Sequence, residues 1–267
     1  FFYFSTLDLS CHVFWRAIDP EHPKYSAELA ETQGEFIRSL YEKVDHAIGL
    51  ALDKLDDNTW LIVMSDHGFS SFRRQFNLNS WLLDNGLLRT NSPPIRQGST
   101  NFHDVDWSKT RAYGLGLNGL YLNRKGREKF GCVDAAEAME LEEMLIRKLT
   151  EIRDPENGDQ VITNVFRASE IYSGPHVGLA PDLLIGYNRN YRASWETVLG
   201  GFPRQLVLDN LEVWSGDHCI DPQFVPGILL SSRKLDSPAP RLEDLAPTIL
   251  KAFNAPIPDT MTGTTLL

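Results

Sequence analysis

The segment Thr59-Trp60-Leu61-Ile62-Val63-Met64, followed at once by Ser65-Asp66-His67-Gly68, is the starting point for the fold prediction. Its six uncharged residues predict a short buried strand. Before it, residues 26–55 place apolar side chains at helical spacing, with the charged side chains on other faces. Residues 1–7 are a dense apolar run and predict another buried strand. A long helix between two apolar strands predicts a βαβ unit, and therefore a parallel sheet.

The remaining chain extends this pattern. Further helices are predicted over 77–88 and 134–152, strands over 113–123, 161–172, 182–187 and 224–231, and a loop over 93–101. The fold class is therefore α/β, a mostly parallel sheet flanked by helices, with an α+β subdomain. We expect residues 1–97 and 201–267 to form the metal-binding α/β core, and residues 98–200 to form an inserted α+β cap.

Composition excludes several classes of protein. The chain has 267 residues, of which 42% are apolar and 23% charged, values that argue against a disordered tail or a small disulfide scaffold. The formal net charge of −10 argues against non-specific binding to nucleic acid. No run reaches the roughly 18 apolar residues of a membrane span, so no membrane partner is expected.

The cysteines bear on the compartment. Cys11, Cys132 and Cys219 form no C-x-x-C pair, and their odd number predicts a reducing, cytoplasmic location. The chain opens within the predicted strand 1–7 and without a Met, so we expect further sequence upstream. The sequence leaves the oligomeric state open.

Ser65-Asp66-His67-Gly68 carries the strongest local signal for chemistry. It lies at the carboxyl end of a predicted strand, where open α/β sheets place their ligands. Asp66 and His67 are suitable ligands for a Zn²⁺-like or Mn²⁺-like ion, and Gly68 allows a sharp turn. The alternative is a plain turn after a strand, in which Asp and Gly are common.

Asp8-x-x-x-His12 provides a second Asp and His pair. A spacing of four residues places both side chains on one side of the chain if the segment is helical. The alternative is a capping Asp and a surface His.

Trp214-Ser215-Gly216-Asp217-His218 is the third motif. Asp217 is placed to orient His218 as a supporting partner of a ligand, and a simple turn is the alternative. The other histidines have no comparable setting; they are His22, His46, His103 and His176. We interpret His46, within the predicted helix, as structural and His176 as a loop residue.

The three motifs together are more specific than any one of them. Taken in their order along the chain, Asp8-x-x-x-His12, then Ser65-Asp66-His67-Gly68-Phe69, then Ser215-Gly216-Asp217-His218, they resemble the metal-ligand motifs of the alkaline phosphatase superfamily, above all its type I phosphodiesterase/nucleotide pyrophosphatase branch. Within that branch, the group of predicted phosphohydrolases or phosphomutases is the most similar. The segments Phe4-Ser5-Thr6-Leu7-Asp8, Asn77-Leu78-Asn79-Ser80-Trp81-Leu82 and Asp244-Leu245-Ala246-Pro247-Thr248 also resemble that group.

The resemblance implies a site with two divalent metal ions, zinc or manganese. Asp8, His12 and His218 would hold one ion, and Asp66 and His67 would help to hold the other. The family also has an Asp on its first strand and a Thr or Ser nucleophile at a helix start. Both precede the motif matched by Asp8, so no nucleophile is expected within this chain.

One position departs from the branch. Cys11 stands where the branch commonly has Gly. Its side chain would crowd the site or add a soft ligand, and the sequence leaves both interpretations open.

The function implied by the resemblance is metal-dependent hydrolysis of small-molecule phosphate mono- or diesters. A catalytically inactive metal-binding fragment or binding module is one alternative, and a phosphomutase or sulfatase-like relative is another. Arg73 and Arg74 follow the Asp66-His67 pair closely. We interpret them as surface arginines rather than phosphate ligands.

Overall fold

The structure is a computed structural model that describes residues 1–91 and 102–267. The loop predicted over residues 93–101 lies outside the described residues. The chain divides into two units. The first comprises Phe1–Arg38 and Phe69–Val225, and the second comprises Ser39–Gly68 and Pro226–Leu267.

Helices and strands alternate irregularly along the described chain. The α-helices are α1 (Ser5–Phe14), α2 (Ala27–Gln33), α3 (Phe36–Leu52), α4 (Leu78–Asp84), α5 (Ala135–Thr150), α6 (Ala168–Ile171), α7 (Trp195–Val198) and α8 (Leu245–Ala252). The strands are β1 (Ile62–Met64), β2 (Ser70–Phe76), β3 (Ala112–Leu115), β4 (Gly119–Leu122), β5 (Ile162–Arg167), β6 (Leu183–Tyr187), β7 (Asn190–Ala193), β8 (Val207–Asp209), β9 (Gly216–Asp217) and β10 (Leu229–Ser231).

The strand pairs are largely antiparallel. In the first unit, one sheet has the order β3-β4-β6-β5 and is antiparallel throughout. A second sheet has the order β7-β2-β8, with β9 also paired to β2, and only the β2–β7 pair is parallel. In the second unit, β1 pairs antiparallel with β10. The mixed α/β class is therefore confirmed, whereas the mostly parallel sheet is not. Strands joined by short turns, such as β3 and β4, can pair only antiparallel.

The prediction of a buried strand over residues 1–7 is wrong. Phe1, Phe2, Tyr3 and Phe4 are exposed, and α1 begins at Ser5. The error has a physical cause, because a short apolar run does not distinguish a strand from a helix segment. The predicted βαβ unit therefore lacks its first strand.

The strands expected around the central motif are shorter and less buried than predicted. β1 covers three residues, of which Met64 is exposed. The strand predicted over 224–231 is reduced to β10, also three residues long, and Leu230 is exposed there. The two strands pair antiparallel with each other, with Val63 opposite Leu230. The apolar run of β1 therefore belongs to an antiparallel pair and not to a central strand of a parallel sheet.

The helix predicted over 134–152 forms as α5. Asp134 caps α5 by accepting a hydrogen bond from the backbone N–H of Glu137. Leu145 and Leu149 on α5 are fully buried in the core that includes the β3-β4-β6-β5 sheet. The helix predicted over 26–55 forms as two pieces, α2 and α3, which are separated at Gly34.

Two global features accompany this fold. None of the three cysteines forms a disulfide. Within residues 1–91 and 102–267, no helix has the length and apolar character needed to cross a membrane.

Candidate metal centre

Helix α1 brings Asp8 and His12 to the same side. Residues four apart on a helix face each other, and Nε2 of His12 lies 3.8 Å from Oδ1 of Asp8. His12 is buried, whereas the Asp8 side chain is 29% exposed. The segment that carries Asp8 and His12 is helical, as the four-residue spacing requires for the two side chains to lie together. The strand expected before it is absent from the described structure.

Strand β9 fixes the orientation of the His12 ring. Nδ1 of His12 lies 2.7 Å from the carbonyl oxygen of Gly216. Because a carbonyl oxygen can only accept, Nδ1 donates the proton, and Nε2 of the neutral ring keeps its lone pair for a metal ion. The backbone N–H of Ser215 also donates to the His12 carbonyl, at 2.6 Å. Helix α1 and the β9 segment are therefore joined directly at the ligand.

This junction places His218 beside the Asp8 and His12 pair. His218 follows β9 directly, and its ring centroid lies 5.2 Å from that of His12. One ligand atom each from Asp8, His12 and His218 lies within 4.8 Å of the other two. An ion bound at roughly 2.1 Å to each atom would hold the atoms at most about 4.2 Å apart. The limit of 4.8 Å is therefore close to the separation that a shared ion requires. The donor set, one carboxylate and two imidazoles, fits a Zn²⁺ or Mn²⁺ ion.

A second group shares His218 with Asp217 and Cys219. Oδ1 of Asp217 already accepts from the backbone N–H groups of His218 and Cys219, at 2.8 and 2.9 Å. Oδ2 accepts from Nε1 of Trp214 at 2.8 Å and from Arg192. Both carboxylate oxygens of Asp217 are therefore engaged by donors within the chain.

The pKa values of Asp217 and Cys219 are shifted in opposite directions. Burial alone would raise the pKa of Asp217, but the Arg192 guanidinium and the donated hydrogen bonds outweigh it and lower the pKa. Burial, together with the Asp217 charge, raises the pKa of the Cys219 thiol to about 12. Asp217 is therefore held as a carboxylate, and Cys219 as a thiol.

Aromatic rings enclose the two imidazoles. The Trp214 ring stacks on His12 with ring centroids 3.8 Å apart and an interplanar angle of 24°. Phe69 meets His12 and His218 edge-on, at centroid distances of 4.8 and 5.4 Å. These contacts limit the orientations open to both rings.

Cys11 is buried next to His12. Burial and the nearby Asp8 charge raise the pKa of its thiol to about 11. Cys11 belongs to neither ligand group found among the described residues. Its thiol is therefore part of the packing around the site, and the interpretation as a soft ligand gains no support.

Asp66 and His67 lie in the second unit, directly after β1. Nε2 of His67 is 3.6 Å from Oδ2 of Asp66, and Nδ1 of His67 donates to the carbonyl oxygen of Gly68 at 3.0 Å. The Asp66 side chain is 66% exposed. The His67 ring therefore turns its Nε2 toward the Asp66 carboxylate. The role of these two residues as metal ligands stays a prediction.

Arg73 and Arg74 are engaged by carboxylates. Arg73 pairs with Asp19 and Glu21. Arg74 is buried rather than on the surface, and it pairs with Asp154, Glu156 and Asp209. Both arginines line a pocket of about 290 Å³, none of whose lining residues is a predicted metal ligand. The interpretation that they are not phosphate ligands fits these pairings.

The sequence did not reveal three residues that contact His12 or Asp217. Gly216 and Trp214 belong to the third motif, but no sequence feature indicated their contacts with His12. Arg192 gave no signal, because its partner Asp217 is distant along the chain and the pairing depends on tertiary structure.

Comparison with known proteins supports the prediction made from the motifs. The model of the type I phosphodiesterase/nucleotide pyrophosphatase family matches residues 1–196, which include Asp8, His12, Asp66 and His67. His218 lies beyond the matched range. No curated protein matches the chain. The family is one of phosphoesterases and is typically metal-dependent, in agreement with the ligand groups described above. The chain belongs to the type I phosphodiesterase/nucleotide pyrophosphatase family.

Proposed function

We propose that Asp8, His12 and His218 bind a divalent ion, Zn²⁺ or Mn²⁺, that serves the hydrolysis of small-molecule phosphate mono- or diesters. The observation that carries the proposal is the spacing of the three ligand atoms, all within 4.8 Å of one another. The fixed hydrogen bond from Nδ1 of His12 to Gly216 adds to it, because it leaves Nε2 as the donor atom.

Each residue has a separate task in this scheme. Asp8 supplies negative charge, and the two imidazoles supply neutral donors in an aromatic surround. The bound ion would offset the negative charge of a phosphate ester. This matters for a chain of net charge −10, which would otherwise repel an anionic substrate.

A second ion is part of the proposal. Asp66 and His67 would help to hold it, as the family resemblance implies. We assign the nucleophile to no described residue. An inactive metal-binding module is the competing function.

Metal binding tests the first ligand group. We expect the purified chain to bind Zn²⁺ or Mn²⁺ in isothermal titration calorimetry, and His12→Ala to lose most of that affinity. His46→Ala is the matched control, because His46 is exposed on α3 and outside both ligand groups. Equal affinity in the wild type, His12→Ala and His46→Ala would overturn the proposed site.

Turnover separates the enzyme from the binding module. The metal-loaded chain is incubated with bis(p-nitrophenyl) phosphate and with p-nitrophenyl phosphate, and p-nitrophenolate release is measured. Hydrolysis that is abolished by His12→Ala and retained by His46→Ala supports the hydrolase. Metal binding without hydrolysis of either ester supports the inactive module.

A further inference from the structure

We propose that Arg192, Trp214 and Asp217 form a positioning cluster that sets the metal affinity of His12 and His218. The inference rests on the proposed metal site and names residues that act through the ligands without touching the ion. All three residues, and both ligands, lie in the first unit.

Asp217 is the centre of the cluster. Its carboxylate accepts four hydrogen bonds, two from the backbone N–H groups of His218 and Cys219 and two from the side chains of Trp214 and Arg192. The first of these fixes the backbone of a ligand. Because β9 ends at Asp217, these bonds determine how the chain leaves the strand, and so where the His218 ring lies.

Arg192 holds Asp217 from a buried position. Its side chain is 1% exposed, and its guanidinium carbon lies 4.5 Å from the Phe72 ring centroid and 4.2 Å from that of Trp195. Nη2 has no hydrogen-bond partner among the described residues. A buried guanidinium between two rings is costly unless its charge is paired, and Asp217 provides that pairing.

Trp214 connects the two ligands. Its Nε1–H donates to Asp217, which holds His218, while its ring stacks on His12. A shift of Asp217 would therefore reach both imidazoles, one through the backbone and the other through the indole ring. Partners of this kind typically change metal affinity by about 10- to 100-fold when they are replaced.

A second buried arginine provides the matched control. Arg74 pairs with Asp154 in the same unit, and Arg74 and Arg192 are both buried. None of the carboxylates that it pairs with belongs to either ligand group. A purely structural role for a buried Arg–Asp pair would make the two sites behave alike.

The test measures Co²⁺ binding to the full chain, from the Kd and from the visible absorption bands of the bound ion. Trp214→Phe keeps a ring against His12 but removes the donor to Asp217, and Arg192→Lys removes the planar guanidinium. We expect each to raise the Kd for Co²⁺ about tenfold or more and to shift the absorption bands. Arg74→Lys should lower the melting temperature and leave the Kd within about twofold of wild type.

The outcomes are distinguishable. Circular dichroism reports whether each variant is folded. If Arg192→Lys does not fold, the Kd and the absorption bands of Trp214→Phe test the proposal. Wild-type Kd and absorption in folded Trp214→Phe would overturn the positioning cluster, as would an equal rise of Kd in Arg74→Lys. A wild-type chain that binds no Co²⁺ would overturn the proposed metal site, and this inference with it.

Discussion

Three contacts hold the His12 side chain in one orientation at the proposed metal site. Its Nδ1 is occupied by the Gly216 carbonyl, its ring is stacked on Trp214, and its Nε2 lies near the Asp8 carboxylate. Each contact removes an orientation that a free imidazole could adopt. Preorganisation of this kind reduces the entropy lost when a ligand binds.

The buried thiols next to the ligands give a prediction about reactivity. With a pKa of about 11 for Cys11 and about 12 for Cys219, almost no thiolate is present at pH 8. Iodoacetamide should modify Cys11 roughly a hundredfold more slowly in the folded chain than in the urea-unfolded chain, because the thiolate is the reactive form. Peptide mapping by mass spectrometry at pH 8 measures both rates. Equal rates in the two states would contradict the assigned burial of Cys11.

The contact between α1 and β9 sets the separation of His12 and His218. Gly216 lies so close to α1 that a Cβ atom added there would meet the Cys11 carbonyl oxygen at 2.5 Å and Trp15 Cβ at 2.9 Å. Neither is a flexible side-chain end, so a larger residue would push β9 away from the helix. The separation of His12 and His218 would change with it.

Gly216→Ala is therefore expected to weaken Zn²⁺ binding as well as stability. We expect a loss of about 1–3 kcal/mol in the free energy of unfolding, from overpacking, and a clear rise in the Kd for Zn²⁺. Gly49→Ala is the control, because nothing lies within 4 Å of a Cβ atom added at Gly49 in α3. Ala is a better helix former than Gly, so this variant should gain about 0.5–1 kcal/mol in the free energy of unfolding. Urea unfolding and calorimetry provide the two readouts. Unchanged zinc affinity in Gly216→Ala would disprove the dependence on this junction.

The whole chain should lose stability in acid, because carboxylates are paired with buried arginines. Burial alone would raise the pKa of Asp154, but hydrogen bonds from Arg74, Glu156 and Tyr191 outweigh it and lower the pKa. A folded-state pKa below the unfolded value gives stability that is complete above about pH 4 and lost as the pH falls through the folded pKa.

Asp154→Asn tests this pH dependence. The variant should be less stable than wild type at pH 6, and its free energy of unfolding should fall less steeply between pH 4 and pH 2.5. Urea unfolding at a series of pH values gives both curves. Parallel curves for the wild type and the variant would show that Asp154 does not contribute to the acid sensitivity.

The sequence predicted what depends on local spacing and missed what depends on distant pairing. The four-residue interval placed Asp8 and His12 on one side on the condition that the segment is helical, and the apolar spacing over 134–152 predicted α5, because helix geometry is local. The direction of β1 was not predictable, since its partner β10 is far away along the chain and either direction suits an apolar strand.

The same limit applies to the candidate site. The motif around His218 was visible, but the support from Arg192 depends on tertiary structure alone. The division into a core (1–97 and 201–267) and a cap (98–200) stays a prediction.

Anomalous diffraction from crystals grown with Zn²⁺ locates the ion itself and so tests whether Asp8, His12 and His218 bind it. We expect a zinc peak about 2.0–2.2 Å from Nε2 of His12, from a ring nitrogen of His218 and from the Asp8 carboxylate. A folded chain with no peak at these three side chains, or with a peak on Asp217 and Cys219 instead, would contradict the proposed metal site.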